Sequence, residues 1–321
     1  MAAQRTRYAR HHMERAVVIA NPVASQFTGG DHRDVMAILN RSLSVEAIWP
    51  GSAAEASDAA RDAIENGATI IVAMGGDGMV HHVAQGVVDT DARLGIIPAG
   101  TTNVIARLFD VPTNASKAAR LITDHPSTHQ VGTVQMALTR GTAQTIHYAI
   151  FACGLGLDAD VVIEADKEPY KKYRFGSLHY ARTTFGVALK SFAKKRPHVE
   201  VRSGERSNQV AAVLFQFRDI YTYFGRLPIA LGKKDPEPMT VLLIKRLRRR
   251  RVPAIATKVF LRRDLDELKE VEVWAGVETL SATAKPPVAA QADGESLGIV
   301  DEAEISWHPD SLKVLRPQSP T

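Results

Sequence analysis

The stretch Thr69-Ile70-Ile71-Val72-Ala73-Met74-Gly75-Gly76-Asp77-Gly78 decides how this chain is read. A run of apolar, largely β-branched residues stops abruptly at glycine, the pattern of a buried strand running into a tight turn. Past the glycines, Val80, Val83, Ala84, Val87 and Val88 recur at helical spacing and give one apolar face. Strand, glycine loop and helix together suit an anion. Glycine has no Cβ to hold a ligand away from the backbone N–H groups, and the following helix aims its positive end at the same place. Asp77 adds a carboxylate that can hold a divalent cation or order a nucleotide sugar.

Upstream, Ala16-Val17-Val18-Ile19-Ala20 is a short apolar run ended by Asn21-Pro22, again a strand entering a turn. A helix is predicted near 31–41, a strand over 45–49, and an Ala-rich helix over 53–66 with Gly67 at the capping position. Downstream, a strand over 94–97 leads into Pro98-Ala99-Gly100-Thr101-Thr102-Asn103 and a helix over 102–109. This alternation predicts a nucleotide-binding α/β domain with a mostly parallel sheet over 16–127. A plain pair of strand-to-helix turns would use the same residues. Two glycine loops from adjacent parallel strands nevertheless converge at the carboxyl edge of the sheet, where such folds bind ligands.

After residue 128 the texture changes. Strands are predicted at 128–138, 145–153, 198–201, 210–217, 239–244, 271–274 and 303–307, with one helix at 175–192. The expected architecture is an antiparallel β-sandwich over 128–300, with a C-terminal strand and tail, 301–321, returning to the first domain. Residues 1–15 read as a basic tail.

A length of 321 residues fits about two domains, and 45% hydrophobic with 23% charged residues excludes a disordered or collagen-like chain. The single cysteine, Cys153, excludes an internal disulfide and a Cys-rich zinc site. The longest apolar stretches, such as 68–74, fall far short of the ~20 residues of a spanning helix. The apolar run 16–20 is also shorter than the roughly 7–15 residues of a signal peptide, so a cytoplasmic location is expected. The net charge of +5 concentrates in Lys245-Arg246-Leu247-Arg248-Arg249-Arg250-Arg251. Such a run suits solvent or an anionic membrane surface. No aromatics interleave with it, so nucleic acid is not an expected partner.

Asn21-Pro22, the loop 75–78, and Gly95-Ile96-Ile97-Pro98-Ala99-Gly100-Thr101-Thr102-Asn103 through Ala106-Arg107 and Pro112 resemble the diacylglycerol kinase catalytic domain family. That family includes bacterial lipid kinases and the sphingosine and ceramide kinases. Gly154-Leu155-Gly156-Leu157-Asp158-Ala159, Phe175-Gly176 with Tyr180, and Asp293-Gly294-Glu295 resemble its later motifs. The resemblance implies ATP and Mg²⁺ as cofactors and a membrane lipid, diacylglycerol or sphingoid-like, as acceptor. A lipid acceptor in a chain with no spanning helix calls for peripheral attachment to an anionic membrane surface through the 245–251 run, and the oligomeric state, monomer or homodimer, stays open. By the same resemblance ATP falls to Asn21, Pro22, Gly75, Gly76, Asp77, Gly78, Gly100, Thr101 and Asn103. Lipid falls to Gly156 and Asp158, and metal to Asp77 and Asp235. Catalysis falls to Glu295 as base, with Asp77 and Asp293. Phosphoryl transfer to an alcohol needs positioning, charge neutralisation and a base near the hydroxyl, which Glu295 suits.

The chain departs from the family pattern at three places. Met79, His81 and His82 stand where the family has Thr, Asn and Glu, and two histidines ~100° apart on a helix chelate poorly. Phe217-Arg218-Asp219 and Phe224-Gly225-Arg226 replace its Asn and triple-Gly stretch, and Asp235-Pro236-Glu237-Pro238 its Asp-Asp-Gly turn. An NAD kinase-like enzyme and a catalytically weakened nucleotide- or lipid-binding homologue are the alternatives.

Overall fold

The computed structural model describes residues 13–124, 127–156, 198–220, 222–224, 227–229, 238–246 and 268–318. The expected helix at 175–192, Asp158, Asp235 and residues 247–251 of the basic run lie outside the described residues. The chain divides into two units, residues 1–131 with 310–321, and residues 132–309.

The first unit contains β1 (Arg15–Ala20), α1 (Gly29–Leu39), β2 (Ser44–Ile48), α2 (Ala53–Glu65), β3 (Ile70–Gly75), α3 (Asp77–Val87), β4 (Arg93–Pro98), α4 (Val104–Leu108) and α5 (Ala115–Asp124). Its strands pair in parallel in the order β2-β1-β3-β4, with Val18 between Ala47 and Val72, and Val72 beside Gly95. Residues 313 and 314, from the last strand of the chain, run parallel to β4 on its other side. Ile19, Ile70, Ile71, Leu94, Ile96 and Ile97 are fully buried. Each contributes about 1.5–3 kcal/mol relative to exposure, which explains why these runs read as apolar throughout instead of alternating. Helix α5 was not among the expected elements, although Ala118, Ala119 and Ile122 recur at helical spacing and bury one face of it. It docks on β4 at Gly95, where a Cβ would lie 2.8 Å from Ile122 Cδ1.

The second unit is made of antiparallel strands: β5 (Ser127–Arg140), β6 (Ala143–Ala149), β7 (Ala152–Leu155), β8 (Val199–Ser203), β9 (Arg206–Val210), β10 (Ala212–Gln216), β11 (Thr222–Phe224), β12 (Leu227–Ile229), β13 (Thr240–Ile244), β14 (Val271–Trp274), β15 (Thr279–Ala292) and β16 (Glu295–Arg316). The order is β14-β13-β10-β7-β15-β16, with β5 and β6 continuing from β16 and β8 and β9 joined to β15. Met136, Phe215, Phe217, Met239, Val241, Leu243 and Trp274 lie in its core. The α/β region and the antiparallel region therefore follow the expected classes. The short strands β9, β11 and β12 were not expected, and three larger details differ. The single strand expected at 145–153 is two strands, because the amides of residues 150–152 turn to the Asp293 carboxylate. β15 was not expected, since Lys285-Pro286-Pro287 interrupts its alternation and its register shifts between Thr283 and Val288. β16 runs well beyond the predicted 303–307 at both ends.

Candidate functional site

At the carboxyl edge of the first unit's sheet, three loops are tied together. Asn21 donates its N–H to Met74 O at 3.0 Å, and its Oδ1 accepts Val23 N–H at 3.0 Å, fixing the turn through Pro22. Gln26 N–H donates to Ala99 O at 2.9 Å, and the Ser25 and Thr101 hydroxyls lie 2.9 Å apart. Ala99 N–H donates to Gly75 O at 2.8 Å. The loops after β1, β3 and β4 thus form one hydrogen-bonded layer.

Within that layer the two glycine loops meet backbone to backbone. A Cβ on Gly100 would lie 2.6 Å from Gly76 Cα and 2.9 Å from Asn103 Oδ1. One on Gly75 would lie 2.6 Å from Met79 Cβ. Gly76 is different: a Cβ there would sit 3.5 Å from Gly100 Cα, an ordinary contact, and its φ is −84°. Packing therefore does not require glycine at 76.

The helices that leave this edge begin differently. Thr28 caps α1 by accepting Asp31 N–H at 3.0 Å. Ser52 caps α2 by accepting Glu55 N–H at 3.2 Å, while Glu55 Oε2 accepts Gly51 N–H at 2.7 Å, a reciprocal box. Helix α3 begins after Gly76 with no side-chain cap bond. Gly76, Asp77, Gly78 and Met79 are all half-buried, so the loop is reachable from solvent. A helix start without its own capping side chain, at the end of a central parallel strand, offers backbone N–H groups that can receive an anion.

Asp77 and Asn103 act on the backbone. Asp77 Oδ1 accepts Ile105 N–H at 2.9 Å, so the carboxylate caps α4. Asn103, with φ 49°, is buried; its Oδ1 accepts Gly100 N–H at 3.0 Å and its Nδ2 donates to Gly100 O at 2.7 Å. That clamp closes the turn 100–103, and Thr101 is left exposed at its tip. His81 is buried, and His82 lies edge-on to it at 5.2 Å. No group of three His, Cys, Asp or Glu able to hold a metal occurs among the described residues.

In the second unit, Asp293 and Gly294 have φ of 52° and 85° and join β15 to β16, with Ala292 opposite Glu295. This is the Asp-Gly hairpin turn, for which both central residues need positive φ. The Asp293 side chain reaches 143 residues back: Oδ2 accepts Ile150 N–H at 2.8 Å, and Oδ1 accepts those of Phe151 at 2.9 Å and Ala152 at 3.2 Å. Asp293 is buried, and its carboxylate anchors a turn; Glu295, two residues on, is half-buried at the start of β16. Arg218 Nε donates to Ile150 O at 3.2 Å, and its guanidinium also bonds Gly132 O. The segment at 150 is therefore held from its amide side by Asp293 and from its carbonyl side by Arg218. Gly156 has φ 92°, and a Cβ there would lie 2.8 Å from Ala211 O, so only glycine fits. Lys245, the first cation of the basic run, pairs with Glu272 at 2.6 Å.

Sequence reading missed the tertiary partners of these side chains, and it missed an aromatic group. Phe27, His32 and Trp49 pack together beside the β1 loop, with His32 to Trp49 ring centroids 4.6 Å apart and Phe27 edge-on to Trp49 at 5.7 Å. The only available signal was Trp49 closing an apolar run in a chain with 6% aromatics.

Residues 15–136 match the diacylglycerol kinase catalytic domain. A diacylglycerol kinase of Mycobacterium tuberculosis (strain ATCC 25618 / H37Rv) is 34% identical over 112 residues, 34% of this chain and 36% of that protein. The alignment thus spans about a third of that relative's length. A "Probable lipid kinase YegS-like" of Pseudomonas syringae pv. syringae is 35% identical over 128 residues, 37% of this chain and 40% of that protein. The crystal structure of a diacylglycerol kinase from Bacillus anthracis superimposes with a TM-score of 0.66 at 15% identity, covering 95% of this chain and 98% of that one. A second solved chain from the same organism gives 0.73 at 18% identity, covering 95% of both.

Proposed function

We propose that this protein is an ATP-dependent lipid kinase that moves the γ-phosphate to a lipid hydroxyl, of diacylglycerol or sphingoid-like type. The observation that carries the reading is Gly76, where the fold has room for a side chain and the start of α3 has no capping side chain. Space at that point, and nothing in the packing, is what a phosphate would use. The amides of residues 76–79 bind the triphosphate, and the Asn103 clamp holds the facing loop in register. Glu295 takes the proton of the attacking hydroxyl, and Asp293 positions it by fixing the hairpin. Gly156 and Asp158 belong to the lipid side of the proposal, within an antiparallel half read as a sandwich-type substrate domain.

Mg²⁺ commonly binds through one or two carboxylates plus substrate phosphates, and Asp77 is the described carboxylate that fits; Asp235 is a second candidate outside the described residues. The ion would neutralise charge on the transferring phosphoryl group.

Among the described residues no helix is long and apolar enough to cross a membrane. For a lipid acceptor we assign a cytoplasmic, peripheral location, with residues 246–251 as the cationic contact, since Lys245 already has an anionic partner. Sedimentation should show binding to anionic vesicles that salt releases, and little binding to neutral ones. The direct test of function is phosphate transfer from radiolabelled ATP to a panel of diacylglycerol, ceramide, sphingosine and NAD. Labelled lipid supports the reading. Labelled NAD, or ATP binding with no labelled product, overturns it.

A further inference from the structure

The aromatic group beside the β1 loop is unused by the phosphate machinery and needs an explanation of its own. Trp49 follows β2, whose last residue Ile48 pairs with Ile19 of β1. It therefore stands at the same carboxyl edge as the glycine loops. Despite its neighbours it remains 45% exposed, one of three large hydrophobic side chains in that state among the described residues. Its surroundings fix it in place. His32 lies against it at 4.6 Å with the rings tilted by 52°, and Phe27 meets it edge-on at 87°. His32 Nε2 is shut off from water and has no hydrogen-bond partner, and burial holds its imidazole below the ordinary value. A neutral ring with an unsatisfied nitrogen is an expensive support for an indole that merely faces solvent.

The position is informative. β2 lies two strands from β3, so strand spacing puts Trp49 ~10 Å from the glycine loop after β3. A sugar can bridge that gap, leaving a base at Trp49. The loop 21–27 that carries Phe27 is also bonded to the second glycine loop through Gln26 and Ala99. The aromatic group and the phosphate loop are thus parts of one hydrogen-bonded edge.

We infer that Trp49, braced by His32 and Phe27, is a stacking shelf for the purine base of the nucleotide whose phosphates the glycine loop holds. This rests on the nucleotide reading above and goes beyond it by assigning base recognition to an aromatic face. Stacking is tolerant of base identity because each base offers a π-face, and larger rings gain more. ATP and GTP should therefore bind within a few-fold of each other, and pyrimidine triphosphates more weakly.

The experiment is calorimetric titration of ATP, GTP, CTP and inorganic triphosphate into wild type, Trp49→Ala and Trp49→Phe. Trp49→Ala should weaken ATP roughly 10- to 100-fold and leave inorganic triphosphate unchanged, while Trp49→Phe keeps most of the affinity. ATP should also quench tryptophan fluorescence in wild type and not in Trp49→Phe, in which Trp274 and Trp307 remain. If wild type binds triphosphate and ATP but Trp49→Ala binds both normally, the shelf is wrong and the phosphate reading stands. If wild type binds neither, the nucleotide reading itself falls. If Trp49→Ala changes vesicle binding or self-association while ATP affinity holds, the face serves another partner and the inference is overturned.

Discussion

Replacing Gly100 with Ala tests whether the two glycine loops form one site. The new Cβ would lie 2.6 Å from Gly76 Cα, which is backbone and cannot rotate away. Carbon atoms rest at ~3.5 Å, so the loops must part by ~1 Å. The same Cβ would lie 2.9 Å from Asn103 Oδ1, so the clamp of Asn103 on Gly100 opens as well. Overpacking of this kind costs about 1–3 kcal/mol, and each weakened hydrogen bond about 1 kcal/mol more. The unit should lose roughly 3–5 kcal/mol, and each kcal/mol should appear as about 2–4 °C in a thermal melt. Phosphate positioning should suffer too, with transfer slowed on the order of 100-fold by a ~1 Å displacement. Two comparison variants give the result its meaning. Gly29→Ala meets nothing within 4 Å and should melt like wild type or slightly higher. Gly76→Ala fits at 3.5 Å and should also fold normally, yet bind ATP poorly, because its methyl occupies the phosphate's place. Calorimetry and ATP titration on the three proteins decide the matter. A Gly100→Ala protein with unchanged melting and ATP affinity would show that the loops are not in the contact described, and the argument fails with it.

Asp293→Ala strips three buried amides of their acceptor at once, so a loss of roughly 3 kcal/mol or more is expected in denaturant titration; a loss below about 1 kcal/mol would mean that water replaces the carboxylate freely. Glu295→Gln should keep fold and ATP binding while slowing lipid phosphorylation by roughly 10²–10⁴-fold, and near-normal turnover would remove Glu295 from the chemistry. His32 makes stability depend on pH: its folded value is lowered by burial, so the unfolded chain takes up the proton first as pH falls. The contribution is complete above the ordinary histidine value of about 6.5 and is lost as pH falls through the lowered folded value. Thermal melts of wild type and His32→Gln across that range should converge toward the acid side; parallel curves would contradict the assignment.

The sheet and both glycine loops were legible because the sequence carries their period and punctuation. Unbroken apolar runs marked β1, β3 and β4, and glycine marked where each ends. What lay outside sequence reading was the work done by single side chains over long separations. Asp77 could be placed in the loop, but nothing in its neighbours says that it caps a helix 28 residues away. Asp293 could be read as half of an acidic motif, and its Asp-Gly as a turn. Its hold on residues 150–152 depends on a pairing of β7 with β15 that no local pattern reveals. The same blindness explains the misjudged strand at 145–153, whose propensity is continuous while its hydrogen bonds are not.

The site also separates two reasons for glycine that the sequence presents as one. Gly75 and Gly100 are compelled by the fold, since a methyl on either would collide with Met79 or with Gly76 backbone at 2.6 Å. Gly76 is compelled by neither sterics nor a positive φ, and it immediately precedes a helix whose first turn has no capping side chain. Helices α1 and α2 show what the chain does when it wants a helix start closed: it places Thr28 or Ser52 there. At α3 the equivalent position is left bare and reachable. The fourth helix start at this edge, that of α4, takes its acceptor from Asp77 in the neighbouring loop, so of the four only α3 has no side-chain acceptor described for its first amides, which is what the proposed phosphate site rests on.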